Sequence, residues 1–60
     1  MDRFEVVFKL FNGKECSFVV DSLNRDTAIH KATLLHWVNF PHDVPDYAVI
    51  EVVRVLWVKK

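Results

Sequence analysis

The dipeptide Asn12-Gly13 stands between two runs of alternating polarity, and it constrains this chain more than any other feature. In residues 3 to 11, Phe4, Val6, Phe8 and Leu10 share one phase, and Arg3, Glu5 and Lys9 the other. Period-two alternation over that length predicts a strand with one buried face. From Lys14 to Val20, Cys16, Phe18 and Val20 alternate with Glu15, Ser17 and Val19. Asn-Gly between two such runs is a strong hairpin signal. A two-residue turn would oppose Phe8 to Ser17 and Lys9 to Cys16, mixing the faces, although directly opposed residues share a face. A three-residue loop, Phe11-Asn12-Gly13 with Gly13 left-handed at a bulge, removes the conflict. It sets Phe8 against Cys16, Val6 against Phe18 and Phe4 against Val20, and pairs Lys9 with Glu15 and Arg3 with Asp21 on the other face.

A helix is expected over about 25–39. Asn24 is a good N-cap, with Ser22 the alternative, and Asp26 in the first turn suits the positive end of the helix dipole. Phe40-Pro41 ends the helix, because a residue before proline is steered out of the helical region, and Asn39 suits a left-handed C-terminal position. Pro41 and Pro45 mark a loop. Tyr47 to Val58, rich in valine, supplies a third strand, giving strands at about 3–11, 14–20 and 47–58. In this strand Arg54 falls in the same phase as Ile50. Either a bulge near Val52-Val53 shifts the phase, or both faces are largely covered. The expected architecture is a single α+β domain over residues 1–60, ββαβ, a three-stranded mainly antiparallel sheet in order 2-1-3 with one helix on one face. Parallel pairing of the third strand is the alternative.

Composition matters at this point. A 60-residue chain that is 52% hydrophobic carries more apolar surface than one helix on three strands can bury. At about 100° per residue, Ala28, Ile29, Ala32, Leu35 and Phe40 share one side of the helix. His30, Leu34 and Trp37 lie roughly opposite, with Val38 beside them. Either the helix is rotated or overlaid by C-terminal residues, or this stripe is an interface, and tryptophan is enriched at interface hot spots. Trp57 likewise either closes the open end of the core or anchors an interface on the last strand. So long and apolar an edge strand invites pairing, and pairing or coverage of it is expected. The candidate partner-binding or oligomer residues are His30, Leu34, Trp37, Val38, Val55 and Trp57.

Other chemistry is poorly supplied. His30, His36 and His42 are spaced six apart, Cys16 is the single cysteine, and Gly13 is the single glycine. That spacing does not gather ligands on one helix face, so no metal or other cofactor is expected. His36 reads as a packing residue at the edge of the core. Cys16 alternates with Phe18 and Val20 on the inward face, where a thiol behaves as a small hydrophobe. Asp43 and Asp46 read as turn residues, and the chain is not expected to be an enzyme. Eight basic and eight acidic residues cancel, which removes the broad positive field behind non-specific nucleic-acid binding. The outward sheet positions Arg3, Glu5, Val7, Lys9, Glu15, Ser17 and Val19 have mixed charge and no aromatic platform, and Lys59-Lys60 is a small basic cluster. With no long apolar run and no charged-then-apolar leader, neither a membrane span nor a signal peptide is expected, and the cytoplasm is the expected location.

Residues 4 to 35 resemble short phage- or prophage-type proteins, in which a hairpin at an Asn-Gly or Asp-Gly turn leads through a polar segment into a helix. The resemblance rests on Phe-Lys-Leu-Phe-Asn-Gly-Lys at 8 to 14, Val-Asp-Ser at 20 to 22 and Asp-Thr-Ala-Ile at 26 to 29. It implies a small intracellular protein that binds a macromolecule, often to inhibit it. The hairpin also looks like the opening of ubiquitin-like β-grasp domains, from which the chain departs by having one further strand. The functional expectation is a self-associating protein-binding module, a regulator or inhibitor that occludes a partner protein. The alternatives are a nucleic-acid-binding regulator and an assembly protein whose last strand extends a neighbour's sheet.

Overall fold

The computed structural model describes residues 1–58, so the Lys59-Lys60 pair considered above lies outside the described residues. Strands β1 (Asp2–Leu10) and β2 (Glu15–Ser22) form a hairpin. Helix α1 (Arg25–Asn39), a 3-10 turn at Pro45–Tyr47 and strand β3 (Val49–Val58) follow. The sheet is antiparallel in order β2-β1-β3, so β1 is central and β2 and β3 are its edges.

The hairpin has the register that face-matching requires, with Phe8 opposite Cys16, Val6 opposite Phe18 and Phe4 opposite Val20. Its turn closes through Gly13 N–H to Leu10 O at 2.9 Å and Leu10 N–H to Lys14 O at 2.8 Å. Gly13 sits at φ 87, the conformation that only glycine adopts without strain. The Asn12 side chain accepts from Lys14 N–H at 2.9 Å. The outer side of this turn is tied to the 3-10 segment by Phe11 N–H to Ala48 O and Asn12 N–H to Asp46 O.

Asn24 caps α1, its Oδ1 accepting from Thr27 N–H at 2.9 Å. Ser22 is fully buried and donates to Asn24 O, supporting the cap rather than forming it. The helix ends at Phe40 in an extended conformation, as the following Pro41 requires. Asn39 therefore does not take the left-handed position expected of it, and its Nδ2 donates to Leu35 O at 2.7 Å instead.

Ala28 and Ala32 are fully buried, and their small side chains let the helix lie close on Phe4, Val6, Phe8 and Val20. One core expectation is corrected, since Leu35 is exposed, whereas His36 is buried as the packing residue expected at the core edge. The helix sits chiefly over β2 and less over β1, which turns Leu35 towards the β2 edge and His36 inward. His36 stacks on Phe40 with ring centroids 4.8 Å apart and meets Phe8 edge-on. A carbonyl can only accept, so the 2.8 Å contact to Tyr47 O means His36 Nε2 carries a proton and donates it. Tyr47 and Phe18 complete this aromatic end of the core, which joins the helix terminus to the loop before β3.

Candidate functional site

The last strand carries two register shifts. Arg54 opposes Val7 but Val52 opposes Phe8, so Val53 is an extra residue; Glu51 opposes Lys9 but Val49 opposes Leu10, so Ile50 is another. The first shift resolves the phase conflict in the sequence. It moves Arg54 to the face away from the helix, while Val55 and Trp57, opposite Val6 and Phe4, stay on the helix side. On the far face Arg54 Nη2 lies 3.7 Å from Glu15 Oε1, reaching across β1. Val7, which stands between them, is only 5% exposed although it points away from the helix. The aliphatic stem of Arg54 is suited to cover it.

Because α1 lies chiefly over β2 and less over β1, it leaves much of β3 uncovered. Val49, Ile50, Val52, Val53, Leu56 and Trp57 are all exposed, Trp57 at 64%. Among the described residues no strand pairs with the free side of β3. The expected coverage of this strand is therefore not provided by the chain itself. Trp57 does not close the core; it is mostly in solvent.

The six residues read from the sequence as an interface do not form one patch. Leu34 and Val38, the latter 83% exposed, flank a shallow apolar groove with Val20 and Lys31 along the β2 edge. His30 is exposed nearer the start of the helix. Trp37 lies near the end, its ring 4.0 Å from that of His42, whose Nε2 donates to Trp37 O at 2.6 Å. These two side chains border an apolar cleft of about 310 Å³ with Tyr47 and Val49. Trp57 is at the other end of β3, roughly 20 Å along the sheet from Val49, because the two oppose Phe4 and Leu10. Val55 is half-buried and packs against the core beside Val6, so it offers only its outer part to a partner. Ile50 and Leu56 belong with Trp57 on the bare strand and were not singled out, although the broken alternation at Arg54 signals the bulge that exposes Val53.

Cys16 is half-buried beside Phe8, and burial pushes its thiol pKa up. Among the described residues no three His, Cys, Asp or Glu side chains come together to hold a metal ion. No helix among them is long and apolar enough to cross a membrane. No protein-family model matches this sequence, and no curated protein or solved structure matches it either.

Proposed function

We propose that this chain is a protein-binding module that works through β3, its bare edge. One observation carries the reading: a ten-residue edge strand exposes large apolar side chains, because the helix lies chiefly over the other two strands. An edge strand offers unpaired backbone N–H and C=O groups along its free side, and another extended strand is the chemical complement of such a row. Apolar side chains on both faces add to that attraction, since their burial is favourable in proportion to area. Such binding occludes whatever strand or surface the partner contributes, in keeping with the regulatory role that the phage-type resemblance implies.

The test is association of the intact protein and of charged variants, with folding followed by circular dichroism. The wild type should self-associate or retain a protein partner from cell extract. The double variant Leu56→Lys, Trp57→Lys should lose that association, while Trp37→Glu, on the separate cleft, should keep it. A wild type that stays monomeric and retains no protein overturns the reading, as does a double variant that binds as well as the wild type.

A further inference from the structure

We infer that the partner of β3 is a second copy of this chain, paired antiparallel through Arg54–Val58 about a two-fold axis at Leu56. The inference rests on the reading of β3 as a docking strand and adds occupant, segment and register.

The two halves of β3 differ as pairing surfaces. From Val49 to Val53 the strand contains both extra residues, and bulges are a standard means of protecting an edge because they bend it and interrupt its ladder. From Arg54 to Val58 the register against β1 runs without a break, residue for residue with Val7 back to Arg3. Its charged member is Arg54, whose guanidinium is already drawn towards Glu15 on the side away from the free edge. The remaining four residues, Val55, Leu56, Trp57 and Val58, are apolar. Apart from Arg54, nothing in this half has the charge, proline or bulge that ordinarily keeps edges apart.

The same half is self-complementary. An axis at Leu56 opposes Leu56 to its own copy, Val55 to Trp57 and Arg54 to Val58. Directly opposed residues share a face, and the observed faces satisfy this. Val55 and Trp57 are both on the helix side, while Arg54, Leu56 and Val58 are on the other. No like charges meet. An axis at Arg54 would set two guanidinium groups against each other, and an axis at Val55 would drive Trp57 onto the bulge at Val53. The register that pairs Glu51 with Arg54 is favourable in charge, but it abuts bulge on bulge. The Leu56 register has neither fault. It joins the two sheets into six continuous strands, with both helices on one face and each Trp57 lying over the other copy's Val55. A seam this short is smaller than a standard interface, so the dimer is a weak one.

The test is sedimentation of the full chain over a concentration series, with directed disulfide formation under diamide in a Cys16→Ala background. At the axis, the Cα atoms of opposed residues lie about 4.5 to 5.5 Å apart, within disulfide reach. Leu56→Cys should therefore become a cross-linked dimer. Val58→Cys should not, because two copies of position 58 are separated by roughly 13 Å along the seam. A mixture of Arg54→Cys with Val58→Cys should cross-link where neither does alone, which keeps the register testable if Leu56→Cys folds poorly. Concentration-dependent dimer with this pattern supports the inference. A dimer in which Val58→Cys links to itself as fast as Leu56→Cys overturns it. So does a wild type that is monomeric throughout; if that monomer still captures another protein through β3, the docking reading survives and only the second copy is excluded.

Discussion

The sheet has two edge strands that are finished in opposite ways. β2 lies under α1, with Phe18 and Val20 packed against the helix and the core. Its far end is tied down twice: Arg3 Nε donates to Asp21 Oδ1 at 3.1 Å, and Lys31 Nζ donates to Asp21 O at 2.6 Å. β3 lies beside the helix rather than under it and ends in Val-Leu-Trp-Val. A single helix about 10 Å across can cover two strands spaced at roughly 4.8 Å, not three. Where it settles decides which edge is finished within the chain and which is left for another molecule. Here the short loop between β2 and α1, capped by Asn24 and braced by Ser22, holds the helix beside β2.

The sharpest way to break this contrast is to remove the core that both edges share. Phe8 is 1% exposed and touches Phe18 and His36, so Phe8→Ala should cost about 3–5 kcal/mol. In a domain of this size that loss should leave the chain largely unfolded at room temperature, as read by circular dichroism. A native-like spectrum would place the stability of the protein elsewhere. Asn24→Ala acts on the finished edge alone. It removes the acceptor for Thr27 N–H and should cost about 1 kcal/mol, seen as a lower urea midpoint, while Asn24→Asp should retain most of the stability. On the bare edge, Trp57→Ala removes a larger side chain for less. In dilute solution it should cost under about 1 kcal/mol, the scale of a cross-strand pair with Phe4. A loss as large as that from Phe8→Ala would mean that β3 is integral to the monomer core rather than poised for a partner.

The hairpin register was legible because alternation, the Asn-Gly turn and cross-strand charge agree on one answer. The helix limits were legible because Asn24 and Pro41 act locally. The rotation of the helix was not. Leu35 and His36 flank the Ala28–Ala32 line on opposite sides, and hydropathy favours leucine as the buried one. What reverses the choice is non-local: Tyr47 offers a carbonyl, Phe40 offers a stacking face, and the position of the helix over β2 leaves Leu35 at the rim. The candidate interface was half legible for the same reason. Surplus apolar surface is countable from composition, but its division between the Trp37 cleft, the groove by Val38 and the β3 edge depends on which strands the helix covers. The side of the sheet on which Val55 falls was hidden because the sequence shows a bulge only as an ambiguity of phase. Once Val53 is the extra residue, Val55 must face Val6.

The smallest effect separates the edges by the behaviour of a thiol. Cys16 is on the inner face of the finished edge, and burial holds its pKa above the ordinary thiol range. The unfolded chain therefore loses this proton first as pH rises, and binds fewer protons than the folded chain between the two pKa values. The stability tied to the neutral thiol is fully present below the unfolded pKa. It declines as pH rises through the folded one. Urea midpoints of the wild type should fall slightly more than those of Cys16→Ala between neutral pH and about pH 10, the difference isolating this thiol. Alkylation gives the companion measurement. Cys16 in the folded protein should react with iodoacetamide more slowly than in urea at the same alkaline pH. A cysteine placed at 56, in dilute monomer, should react at nearly the unfolded rate. Equal protection of the two would mean that the β3 edge is already covered, and the contrast between the edges would fail.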